Sequence, residues 1–209
     1  MTPRATVGAV VVIAIASAAS AALLGAATTY RVVPDQSTVR IDVGKSGTFS
    51  FAGHTHEVEG PIQGSVKADR NDMTHAQIQL TIRAASLRVS GKGEPAGDVP
   101  KVQERMLGPD VLDVAKYPEI TFRSTSVAAE AHQGGGSPVR VTGEVTIRGR
   151  TKQVSALVQV RMEGASLTAS GSFVVKQTDF GITPVTVGGV VSVKDALTIH
   201  FTVTAASST

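Results

Sequence analysis

The chain of 209 residues contains no cysteine and no tryptophan. No disulfide can hold the fold, and no cysteine can carry a lipid. A chain of this size does not need a disulfide, because it can bury a real core without one. Charge is nearly balanced: 20 Lys and Arg against 17 Asp and Glu give +3, which falls to +2 without Arg4. The cations are scattered rather than run together, which argues against a nucleic-acid surface. There is no Gly-x-Ser-x-Gly elbow, no P-loop and no His-Glu-x-x-His, so no enzyme activity is expected. Neither an internal repeat nor a second domain is visible.

What is present begins with a leader. Arg4 precedes a run, Val7 to Ala27, that carries no charge and ends in the small residues Gly25-Ala26-Ala27. This reads as a signal peptide over residues 1–27, with a membrane anchor as the alternative, since about 20 apolar residues can just span a bilayer. Export is expected. Residues 28–209 then form one domain.

Most of that domain alternates. Val39, Ile41 and Val43 are separated by Arg40 and Asp42; Ile78, Leu80 and Ile82 by Gln79 and Thr81. The pattern returns at Val139–Ile147, Val154–Met162, Leu167–Val175 and Leu197–Val203. Side chains of a strand point alternately to two faces, so each run has one apolar face and one wet face. Arg148-Gly149-Arg150 and Glu163-Gly164-Ala165 separate successive runs tightly, which predicts hairpins and antiparallel pairing. Such strands must close on a shared interior as a barrel or sandwich. Val99 to Leu107 differs: Val99, Val102 and Met106 recur at helical spacing. Pro100 sits in the first turn and Gly108-Pro109 follows the last, so one short helical insertion is expected.

Three segments, taken together, resemble the YceI-like family. They are Phe49-Ser50-Phe51-Ala52-Gly53-His54-Thr55-His56, then Val111 to Ser124 with its Lys116-Tyr117-Pro118 and Phe122, and the hairpin Val141 to Lys152. Asp179-Phe180-Gly181-Ile182 is similar to a fourth, later segment. The resemblance implies an all-β, eight-stranded antiparallel lipocalin-like barrel. It also implies a periplasmic lipid-binding protein that holds a polyisoprenoid, such as an isoprenoid quinone or a polyprenyl lipid. Many members carry one histidine where this chain has His54 and His56.

The inward faces are rich in Val, Ala and Gly, which leaves space for a cavity or packs as a solid β-branched core. Phe49, Phe51, Phe122, Phe173 and Phe201 are the expected ligand contacts. His54 and His56 share a strand face with Val58, and three roles stay open for them. They can bond neighbouring backbone, meet a ligand headgroup, or ligate a metal with help from His75, His132 or His200. Asp110, Asp113, Glu144, Asp179 and Asp195 have cheaper uses as caps, turns and outward strand positions. Arg148, Arg150 and Lys152 at a hairpin tip read as a solvated turn or as a phosphate or membrane-surface contact. A homodimer is compatible with the chain. So is a ligand-free structural barrel.

Overall fold

The computed structural model describes residues 27–46, 56–92, 95, 97–130, 137–187 and 191–207. The leader, Phe49, Phe51, His54 and His132 lie outside them. The elements in order are β1 (Thr28–Val32), β2 (Thr38–Ser46), β3 (His56–Pro61), β4 (Gln63–Asp69), β5 (Asp72–Arg83) and β6 (Arg88–Val89). There follow α1 (Val99–Leu107), β7 (Glu119–Ala129), β8 (Ser137–Ile147), β9 (Arg150–Glu163), β10 (Ser166–Lys176), β11 (Thr186–Val187) and β12 (Val191–Ser207).

Neighbouring strands pair antiparallel in the order β1-β4-β5-β7-β8-β9-β10-β12, and β12 pairs back onto β1. The ring is therefore a closed eight-stranded barrel. Its first three strands are broken rather than extra. β2 continues β1 along the same side of β12, past a 3-10 turn at Pro34–Gln36. β4 continues β3 past Ile62, and β6 continues β5 past a 3-10 turn at Ala84–Ser86. The first break is mended by a side chain. The buried Ser37 hydroxyl accepts from Thr204 N at 3.0 Å and donates to Thr204 O at 3.1 Å, replacing a missing ladder partner.

The alternation becomes the barrel wall. Val39, Val66, Val141, Val158, Leu167 and Val203 are buried in one central cluster, and the residues between them face outward. The two ends of the barrel differ. One, here the turn end, carries the β4–β5 and β9–β10 turns together with Thr28 and Ser207. The other, the helix end, carries the β8–β9 hairpin, the segment from β6 through α1 to β7, and the β10–β12 connection.

At the helix end the wall opens between β6 and β7, and α1 lies against β6. Val99, Val102 and Met106 turn toward the core without being fully buried. The Gln103 amide accepts from Val89 N at 2.8 Å and donates to Leu87 O at 2.9 Å, so one side chain completes the backbone of the β6 edge. The helix has the bounds that its spacing predicts. Asp110 follows the helix and stands 4.0 Å from Arg105, while Asp98 is the N-cap and makes no side-chain cap bond.

Candidate functional site

The barrel interior is one elongated apolar cavity of about 150 Å³. Its lining runs from Met73 and Leu167 near the turn end to Ile120 and Ile147 near the helix end and is hydrocarbon almost throughout. On β8 alone the lining stretches from Val139 to Ile147, about 26 Å at 3.3 Å per residue. The void is therefore long and thin.

Why is it not filled by its own aromatics? Phe122, Phe173 and Phe201 all line it, yet two of the rings lie back against glycine. A Cβ on Gly143 would come within 2.5 Å of the Phe122 ring, and one on Gly171 within 2.8 Å of the Phe201 ring. Glycine at these two inward positions lets each ring lie flat along the wall instead of across the lumen. Phe173 and Phe201 meet at 6.3 Å between centroids, tilted by 49°, a spacing at which aromatic pairs attract.

The chain belongs to the YceI-like domain family. The family matches residues 30–205. Among solved structures, the chain is similar to Burkholderia cenocepacia BcnA at 24% identity and a TM-score of 0.62. That match covers 83% of this chain and 98% of that one. A Campylobacter jejuni YCEI protein is similar at 16% identity and a TM-score of 0.53, with 71% and 81% covered. At these identities the structures speak for the fold alone. A search of curated proteins finds no match. The YceI-like fold of this chain is that of a small ligand-binding barrel.

Of the histidines, His56 opens β3 half-buried, opposite Val43 and on the face of Val58. His75 leaves the wall at the turn end, where its Nδ1 is 2.8 Å from Asp72. His200 stands on the outer face with Nε2 3.0 Å from Asp42. The three are thus dispersed, and among the described residues no group of three or more His, Asp or Glu could hold a metal ion.

The hairpin cations are divided too. Arg148 donates to Pro109 O at 2.6 Å and to Gly181 O at 3.2 Å, so it ties the loop after α1 and the β10–β12 connection to the β8–β9 turn. It does so from a left-handed backbone (φ 50°), with Gly149 at φ 69° beside it. This is the two-residue turn that matches strand twist, with a residue at its first position that disfavours it. Arg150 and Lys152 are exposed.

Sequence reasoning passed over Lys45. Gly44 faces the Lys194 side chain, 3.0 Å from where its Cβ would be, on the exterior. Lys45 therefore takes the inward parity of Val39, Ile41 and Val43, opposite Val193. It is half-buried. The signal was in the alternation, which continues past Val43 into a charge.

Proposed function

We propose that this YceI-like protein is an exported carrier that holds a polyisoprenoid or a similar long amphiphile in its barrel and catalyses no reaction. An isoprenoid quinone or a polyprenyl lipid is the intended class. The observation that carries the reading is the cavity: long, thin and lined almost wholly by hydrocarbon. An apolar tail gains about 25 cal/mol for each Å² removed from water. A few hundred Å² therefore offsets the ordering cost of binding without any special contact.

Volume limits what fits at rest. An apolar void of about 150 Å³ takes one benzene-sized molecule, so a long tail must spread the walls. Phe122, Phe173 and Phe201 are the parts to move, since they border the void and are only partly buried. The occupant is accordingly slender. Delivery to or from a membrane surface suits the exposed cations Arg150 and Lys152.

Mass spectrometry of organic extracts tests the reading, with residues 28–209 exported in a quinone-producing bacterium and purified. A prenyl lipid at about one per protein is expected. A folded protein that yields no lipid and also binds no added prenyl probe overturns it.

A further inference from the structure

The barrel has a direction, and it fixes which way an amphiphile lies. We propose that Lys45 and His56 form a headgroup site for an anion, a phosphate or carboxylate, on an amphiphile whose tail occupies the cavity. This rests on the carrier reading and adds the chemistry and orientation of the ligand to it.

The argument begins with parity. Along the inward face of β2 the order is Val39, Ile41, Val43, Lys45: three apolar positions and then an ammonium. Val39 and Ile41 line the cavity, and Lys45 lies four residues beyond Ile41, about 13 Å along the strand. On the neighbouring strand, His56 is opposite Val43. Lys45 and His56 are thus diagonal neighbours on one face, roughly 7–8 Å apart at the backbone. A single phosphate can lie between them and be met by both.

Charge on the other face supports an anion here. The acids of these same strands, Asp42, Glu57 and Glu59, are held outside. Asp42 is 3.0 Å from His200 and 3.3 Å from Arg40, and Glu57 is 3.6 Å from Lys92. Among the described residues no acid of this pair of strands faces inward, where Lys45 and His56 stand. Among the described residues the turn end offers no such group. Its inward positions are Tyr30, Ala68, Leu167 and Ala205, all buried, and a headgroup there would lose its water for no partner. The head therefore leaves by the helix end.

Calorimetric titration with geranylgeranyl phosphate, geranylgeraniol and inorganic phosphate tests this on wild type, Lys45→Met and His56→Asn. The first two probes share a tail and differ in charge. A charge-assisted contact should make wild type bind the phosphate about tenfold more tightly than the alcohol. Each variant should cut that preference to about threefold or less, by weakening phosphate binding more than alcohol binding. Inorganic phosphate alone should bind more than a hundredfold more weakly than the lipid phosphate, which places the anion at the end of a tail. Equal binding of alcohol and phosphate by wild type overturns the headgroup site and spares the carrier reading. A preference that survives both substitutions does the same. Tight binding of inorganic phosphate alone assigns the site to the free ion and also overturns it. Binding of neither prenyl probe removes the carrier reading and this inference with it.

Discussion

The two ends of the barrel are made of different material. The turn end is shut by the strands themselves: Tyr30, Ala68, Leu167 and Ala205 are almost wholly out of solvent. Its turns are tied by Ser207 N donating to Ala165 O at 2.9 Å and by the Arg70 guanidinium donating to Gly164 O. The helix end is shut by segments that are not strands of the ring. α1 contributes no fully buried residue, and its main polar ties are Gln103 and, from the hairpin, Arg148. Closure by the ladder cannot be undone without unfolding, whereas closure by a docked segment can open locally. The difference is one of kind: the ladder closes the turn end, whereas docked segments close the helix end, with Phe180 and Ile182 of the β10–β12 connection buried in the core and α1 lying over it.

The sharpest way to break that contrast is a pair of truncations. Leu167 is 1% exposed, and Leu167→Ala should cost about 2–5 kcal/mol. Val102 on α1 is half-buried, and Val102→Ala should cost about 1 kcal/mol, near the average for a point substitution. Urea midpoints at a constant m-value measure both. Equal costs would make the helix part of the cooperative core. Next in size is Ser37→Ala, which leaves the Thr204 N–H without its acceptor inside the wall. A loss of about 1–3 kcal/mol is expected. A neutral result in the same titration would show that the broken β1–β2 strand heals without the hydroxyl.

How much of this could be read beforehand depended on range. Strands with one apolar face were legible because period two is a local property, and so was the helix from Val99 to Leu107. The breaks were not. Pro34 hints at the first, but the function of Ser37 depends on Thr204, 167 residues away. The same holds for the cavity. Gly143 and Gly171 look like small residues in an alternating run, and only the stagger of adjacent strands sets Phe122 and Phe201 against them. Arg148 looked like a solvated tip because its carbonyl partners lie 33 and 39 residues off. Lys45 was within reach of pattern alone, but a charge ending an apolar face reads as the end of a strand.

A smaller effect isolates the helix end. Gln103→Leu keeps the bulk of the side chain and removes both bonds to the β6 edge. Global stability should fall by about 1 kcal/mol, while hydrogen exchange at the Val89 amide should speed up far more than at amides of β9 or β10. If the helix is the way in, release of a bound prenyl probe should also accelerate. Unchanged exchange at Val89 would mean that α1 does not guard that edge.

The smallest effect tests a feature the ends share. Each has an exposed aspartate that organises a turn by accepting from a threonine. Asp195 takes Thr178 N at 2.9 Å and Thr178 Oγ1 at 2.8 Å at the helix end. Asp72 takes Thr74 N at 2.9 Å and its hydroxyl at 2.5 Å at the turn end, with His75 beside it. The backbone and hydroxyl of Thr178 hold the Asp195 carboxyl below its ordinary value, and the hydroxyl and backbone of Thr74 do the same for Asp72. A carboxyl lowered in the folded state stabilises it fully above the unfolded value of about 3.9 and loses that contribution as pH falls through the folded value. Wild type should therefore lose more stability between pH 5 and pH 3 than Asp195→Asn or Asp72→Asn does. Exchange tells the ends apart: acidification should loosen the Thr178 amide with its docked segment, while the Thr74 amide, beside a paired ladder, changes less. Equal loosening at both would show that a turn's resistance to acid is set by its aspartate alone and owes nothing to which end of the barrel carries it.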